Sequence, residues 1–308
     1  MRIVFFGTPE FAVPSLRALL HEQAEVAAVV TQPDRPRGRS RSVLVPPPVK
    51  VLAEEHRLTV FQPDRPSGDL FLAALRRLEP DLGVVVAYGH LLKPAILAVP
   101  RLGMINVHAS LLPALRGAAP IPYAILSGQT RTGVTIMQME EGLDSGPILL
   151  QKETPITPWE TCGTLTERLA DLGAEALVEA VTLLRSGQLA ARPQAHREAT
   201  FAPKIDRALA RIRWDQDAET TARRIRAFDP EPGAWATLEG SGEVKFFGAR
   251  PVPEEGEPGM ILALTPALVV ACARGAVAVD EVQPAGKRRM PAEAWARGRG
   301  AEAGRRFT

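Results

Sequence analysis

The run Leu82-Gly83-Val84-Val85-Val86-Ala87 is apolar without a break. A strand with one face in water alternates apolar and polar residues, so a continuous run of this kind belongs to a central strand covered on both sides. Further apolar runs of strand length fall at 2–6, 25–31, 58–61, 103–108 and 133–139. Helical periodicity separates several of them, over 11–22, about 48–57 and 69–79. Strand and helix in alternation predict an α/β fold, a mostly parallel Rossmann-like sheet with helices on both faces. Ligands of such sheets bind at the carboxyl ends of strands.

The residues ending each run therefore carry the chemical information. The first turn, Gly7-Thr8-Pro9-Glu10, lacks the Gly-x-Gly-x-x-Gly spacing of a dinucleotide site and argues against a nicotinamide cofactor. It predicts a tight βα turn with Thr8 as helix cap and Pro9 in the first helical turn. In Met104-Ile105-Asn106-Val107-His108, side chains alternate, so Asn106 and His108 share a face roughly 6–7 Å apart. An amide and an imidazole at the end of an apolar strand are costly unless paired or used. Some thirty residues on, Glu140-Glu141-Gly142-Leu143-Asp144-Ser145-Gly146 is an acidic loop with two glycines, able to return a carboxylate to that strand end.

Taken singly, these residues have bland readings. His108 alone reads as a satisfied core histidine, Asn106 as a strand-end hydrogen bonder, and Asp144 as an Asx-turn residue. As a set they suit a carbonyl that becomes tetrahedral: amide and imidazolium hold the developing oxyanion while the carboxylate orients the imidazole and handles protons. No nucleophile of the protein's own stands among them, which points to direct acyl transfer between two bound substrates.

NVHASLLPALRGAAPI followed by TGVTIMQMEEGLDSGPIL resembles the signature of the folate-dependent formyltransferases. FFGTPEFA, TQPDRPRGRS, PVKVLAEE, VVVAYG and QPAGKRRM are similar to segments of the same family in the same order, so the likeness spans nearly the whole chain. It implies 10-formyltetrahydrofolate as co-substrate and initiator methionyl-tRNA as acceptor; no metal is expected, because the sequence has no clustered His, Cys and Asp ligand set. It also implies Asn106, His108 and Asp144 as the catalytic trio. Ser110, Leu111, Leu112 and Pro113 would touch the folate. Tyr88, Gly89, His90, Leu91 and Leu92 would line its pterin pocket with the 140–144 loop, including Glu141 and Gly142. The family often carries arginine where Ala114 stands, whereas Arg116-Gly117 is retained.

Between 31 and 41 the chain reads Thr-Gln-Pro-Asp-Arg-Pro-Arg-Gly-Arg-Ser-Arg. Composition alone gives an exposed, mobile surface loop; a phosphate-contacting arm is the sharper alternative. The resemblance implies that Arg35, Arg37, Arg39 and Arg41 face the tRNA acceptor stem, with Ser40, Arg41 and Ser42 where the family commonly has lysines.

Residues 161–186 show a long helical stripe of Leu165, Leu169, Leu172, Leu177, Val181 and Leu184, ended by Gly187. Residues 191–204 are irregular and proline-punctuated, a linker between a catalytic domain over 1–190 and a second domain over 205–308. The second domain starts with a helical stretch over 218–228. Short strands then follow at 234–238, 243–249, 259–264, 267–272 and 276–282, a pattern that predicts a small β-barrel. The resemblance implies an OB-like barrel that binds tRNA. Arg223, Arg224 and Arg226 could line an RNA-following stripe, while Trp214, Trp235 and Trp295 read as packing aromatics.

A net charge of +2 and a pI near 8.7 admit an anionic partner without requiring one. Cys162 and Cys272 have no metal-ligand spacing. No membrane span or signal peptide is legible, so a cytoplasmic protein is expected, and a monomer, since nothing periodic suggests a coiled coil. Two rivals stand beside the tRNA reading: a formyltransferase acting on a small amine (a purine precursor or an amino sugar), and a non-catalytic RNA-binding relative. The arginine loop and the second domain count against the first, the intact trio against the second.

Overall fold

The computed structural model describes residues 1–37, 43–298 and 301–308; Arg39 and Arg41 lie outside them. Two compact units are present. One comprises Met1–Gly117, Thr132–Thr154 and Thr166–Ala202, the other Ala118–Arg131, Pro155–Leu165 and Pro203–Thr308.

In chain order the strands begin with β1 (Arg2–Gly7), β2 (Glu25–Val30), β3 (Arg35–Arg37), β4 (Val43–Val45) and β5 (Val60–Phe61). They continue with β6 (Leu82–Val86), β7 (Met104–His108), β8 (Arg131–Gln138) and β9 (Ile148–Pro155). The helices among them are α1 (Val13–His21), α2 (Pro48–Glu55), α3 (Asp69–Arg77), α4 (Pro94–Leu97), α5 (Pro120–Leu126) and α6 (Cys162–Arg185). A seven-stranded sheet runs β5-β2-β1-β6-β7-β8-β9. The pairs β2–β5, β1–β2, β1–β6 and β6–β7 are parallel, and β7–β8 is antiparallel. All five residues of β6 are buried, as its unbroken apolar run predicts.

Strand order reverses between β1 and β6, the switch point where ligand crevices of such sheets open. Alternation along β7 fixes its two faces. Met104 joins the cluster of Val4, Phe6, Leu75 of α3, Val85 and Ile96 of α4. Val107 faces the other way, onto Gly173 of α6, where a Cβ would stand 3.0 Å from Val107 Cγ1. Asn106 and His108 therefore share the face of Met104.

Three local readings are corrected or extended. Thr8 does not cap a helix; its hydroxyl donates to the Tyr88 carbonyl at 3.1 Å, and Pro9 is the cap residue of a 3₁₀ turn that leads into α1. The described flanks of the arginine segment are no loop: β3 and β4 form an antiparallel ladder, because Val43-Leu44-Val45 supplies a β-prone partner for Arg35–Arg37. β9 and α5 carry no expectation from sequence. α5 begins with Pro120 and Pro122, tolerated because first-turn N–H groups have no intrahelical acceptor.

The second unit contains α7 (Ala218–Ala227), β10 (Ala234–Leu238), β11 (Gly242–Val252), β12 (Ile261–Ala263), β13 (Leu268–Ala271), β14 (Ala276–Pro284), β15 (Met290–Pro291) and α8 (Ala292–Arg297). Asp217 caps α7 by accepting from the Thr220 N–H at 2.7 Å. The strands form one curled antiparallel sheet in the order β10-β11-β14-β13-β12. Residues 305–308 hydrogen-bond to both of its edges: Thr308 exchanges two bonds with Thr237 of β10, and Ile261 of β12 donates to Arg305. Phe307 is thereby buried against Trp214 and Phe246. Trp214 and Trp295 are core residues, and Arg207 covers the Trp235 ring at 4.5 Å, so these tryptophans pack as expected. Arg224 and Arg226 do not line an exposed stripe: Arg224 donates to the Leu209 carbonyl and Arg226, buried, to that of Ala249. No helix among the described residues is long and apolar enough to cross a membrane.

Candidate active site

His108 ends β7 with its ring buried. Its Nε2 lies 3.0 Å from the Leu115 carbonyl. A carbonyl only accepts, so Nε2 carries the proton and Nδ1 is left as the basic nitrogen. Nδ1 faces Oδ2 of Asp144 at 3.7 Å. The chain brings Asp144 back after β8 in a left-handed conformation, φ 47°. The same Oδ2 accepts the Gly117 N–H at 2.8 Å, which holds the carboxylate at the imidazole.

Burial dominates the ionisation of His108. It pushes the imidazole below its ordinary value against the raising effects of Asp144 and the Leu115 bond, and the charge of Arg116 pushes the same way as burial. Burial thus favours the neutral imidazole, with a carboxylate placed to stabilise a proton that arrives later. Asn106 is half-buried on the same face, and its amide makes no hydrogen bond to the protein among the described residues.

The expected folate-contacting residues separate into two kinds. Ser110 and Leu112 are buried, and their polar groups are spent inside the protein. The Ser110 hydroxyl donates to the Ala114 carbonyl at 2.6 Å, the Leu112 N–H donates to Thr135 Oγ1, and Gln151 donates to the Leu112 carbonyl. Leu111 and Pro113 are half-buried. Tyr88 is a core residue packed edge-on against Phe6, and burial pushes its phenol up to about 12. Its carbonyl accepts from Thr8 and Gln32. Gly89 and His90 follow in the loop after β6, and Leu92 returns to the core. Leu91, Glu141, Gly142 and Leu143 are exposed, so the two strand-end loops present Leu91 and Leu143 as uncovered apolar surface. Apolar loop surface with nearby backbone polar groups suits a flat heterocycle.

In the arginine segment, Arg35 is exposed and donates to Gln32. Arg37 ends β3. Asp34 anchors the base of the β3–β4 pair, accepting from Lys50 at 2.8 and 2.9 Å and from Gln62 at 2.7 Å. These bonds, Gln62 foremost, hold its carboxyl below the usual range.

Sequence reasoning missed the residues that hold this site together. Thr200 Oγ1 accepts from the Leu115 N–H, the Thr200 carbonyl accepts from the Arg116 N–H, and the Arg116 carbonyl accepts from the Ala202 N–H. Gln194 hydrogen-bonds Arg116 and the backbone around Asp144. These residues lie in the segment read as a linker; their only sequence signal is a polar residue among prolines and charges. Among the described residues no group of three His, Cys, Asp or Glu is placed to hold a metal ion.

A doubly wound α/β unit with amide, imidazole and carboxylate gathered at strand ends, in one chain with a curled antiparallel unit, defines a group-transfer class of protein. The profile described as Formyl transferase matches residues 1–181, and that described as Formyl transferase, C-terminal domain, matches 204–300. The chain belongs to the formyl transferase family. It is 50% identical over 296 residues to the methionyl-tRNA formyltransferase of Methylococcus capsulatus, covering 95% of each chain. It is 49% identical over 308 residues to that of Aromatoleum aromaticum, covering 100% of this chain and 97% of the relative. Among solved structures, HypX from Aquifex aeolicus in complex with tetrahydrofolic acid shares the fold, with TM-score 0.68 and 23% identity. That match covers 97% of this chain and 47% of the HypX chain.

Proposed function

We propose that this protein transfers the formyl group of 10-formyltetrahydrofolate to the α-amino group of initiator methionyl-tRNA. The observation that carries the reading is the buried imidazole whose Nε2 is tied to Leu115 and whose Nδ1 faces Asp144, next to an amide that the protein leaves unbonded among the described residues. The near full-length likeness to methionyl-tRNA formyltransferases supports the acceptor.

The folate co-substrate supplies a formyl carbon on nitrogen as the electrophile; Leu91, Leu111, Pro113, Glu141, Gly142 and Leu143, with the backbone of Tyr88–His90, are the residues offered to it. Asn106 donates its amide N–H to the formyl oxygen as charge develops there. His108, entering neutral, takes the proton of the attacking amine at Nδ1. Asp144 then stabilises the imidazolium it faces, and the proton is returned to the leaving nitrogen. The Gly117 N–H keeps Asp144 in place throughout.

On this reading the catalytic domain, expected over 1–190, also takes in the 191–202 segment that holds the site, and 205–308 is an OB-like, tRNA-binding domain. The bonds from residues 305–308 to both sheet edges support barrel closure. Arg35 and Arg37 contact the acceptor stem, together with Arg39 and Arg41. A cytoplasmic monomer is the matching state. The test is transfer of labelled formyl to methionyl-tRNA, assayed beside a purine-precursor amine and an amino sugar. Labelled formylmethionyl-tRNA is expected; preferred labelling of a small amine, or no consumption of the formyl donor, would overturn the reading.

A further inference from the structure

From Ala191 to Glu198 every residue is exposed except Gln194. Its side-chain Oε1 accepts from Nε and Nη2 of Arg116, at 3.1 and 2.6 Å. Its Nε2 donates to the carbonyls of Asp144 and Gly146, at 2.9 and 2.7 Å. A primary amide has two donors and two acceptor positions, and all four are used. Its orientation is dictated, because a guanidinium only donates and a carbonyl only accepts. The backbone beside it is anchored as well: Arg192 exchanges two hydrogen bonds with Ile148, two residues past Gly146.

We propose that Gln194 is the positioning residue of this site: its one amide clamps the loop carrying Asp144 to the loop carrying Arg116, and so holds the carboxylate at His108. Both carbonyls it binds flank Ser145, and Asp144 itself stands in the left-handed region of a tight turn. On the other side, Arg116 lies between Leu115, which accepts from His108, and Gly117, which donates to Asp144. The four bonds therefore set both ends of the imidazole's environment.

They also set where the buried positive charge rests. Asp144 and Arg116 are the charged groups that bear on His108 from the loops packed against it, and His196 stands behind Arg116, 3.1 Å from its Nη2. Without the amide, the Arg116 guanidinium loses both bonds to Gln194 Oε1, keeps only the one to His196 among the described residues, and is free to seek the Asp144 carboxylate, drawing it from His108.

The proposal rests on reading His108 and Asp144 as the reacting pair, so the experiment reads that pair with and without substrate. The His108 imidazole is titrated by NMR in the full chain, wild type and Gln194→Met, and formyl transfer is followed against pH in both and in Gln194→Leu. Gln194→Met removes both halves of the amide clamp without adding charge, so Asp144 is released from His108 and the imidazole titration should move down, by about one pH unit. The acid limb of kcat/KM should follow it. Gln194→Leu should lose about 10²-fold in kcat/KM with its fold kept, the cost of a small displacement of reacting groups. A His108 titration that is unmoved or raised in Gln194→Met, or a folded Gln194→Leu with near-normal transfer, would overturn the proposal. Should Gln194→Leu not fold, the titration decides alone. Absence of formyl transfer in the wild type would count against the function, while the titration would still test the clamp.

Discussion

The backbone N–H of Gly117 donates to Oδ2 of Asp144 at 2.8 Å, and that oxygen is the one His108 faces. Carboxylate and imidazole are thus brought together by a main-chain donor from a third segment. The same glycine has φ 120°, and a Cβ on it would stand 2.7 Å from the Ala202 carbonyl oxygen. Gly117→Ala should shift the loop and release Asp144. We expect kcat/KM to fall by about 10²-fold with circular dichroism unchanged; a fully active Gly117→Ala enzyme would show that this bond does not hold the carboxylate.

Asn106 and His108 share one strand face, and their removal should act on the rate more than on binding. Asn106→Ala should lower kcat by on the order of 10²–10³ with little change in KM for the folate, the usual cost of one donor to a developing oxyanion. His108→Asn should do at least as much. Steady-state kinetics on folded variants decides, and near-normal formylation by either removes that residue from the mechanism.

His108 also makes stability depend on pH. Its folded value lies below the ordinary 6.5, so below that pH the unfolded chain binds the proton more readily than the folded one. Its contribution is complete above about pH 6.5 and is lost as pH falls from there through the folded value. Denaturant titrations between pH 7 and 5 should show stability declining, and His108→Gln should flatten that part of the decline. Equal pH dependence in both proteins would mean that the buried imidazole is not the source.

Asp34 ties the base of the β3–β4 pair to Lys50 and Gln62. If that pair presents arginines to RNA, Asp34→Asn should raise KM for methionyl-tRNA several-fold while kcat stays near wild type. Binding measured across a salt series should keep its slope, because no arginine is removed. An unchanged KM would detach the anchor from acceptor binding.

Phe307, fully buried against Trp214 and Phe246, joins residues 305–308 to the edges of the curled sheet. Phe307→Ala should cost the second unit about 3–5 kcal/mol, read as an earlier unfolding transition by calorimetry. No shift would mean that residues 305–308 do not stabilise the sheet they border.

Elements governed by local periodicity were legible in the residue order. The unbroken apolar run became the all-buried β6, and the leucine stripe became α6, with Gly187 in the left-handed region past its end. Period-two alternation put Asn106 and His108 on one face. Thr8 misled because its hydroxyl found a carbonyl 80 residues away rather than its own helix. The arginine segment misled because a nearby strand partner, Val43–Val45, outweighed a composition typical of loops.

Residue order thus decides which side chains stand at the strand tips, since a strand has two faces and a side chain must take one. It does not decide whether His108 is charged, nor that Gln194 and Thr200, 78 and 85 residues from their partners in the 115–117 loop, hold the site. Those outcomes depend on burial and on hydrogen bonds between distant segments, which exist only once the chain has closed around them.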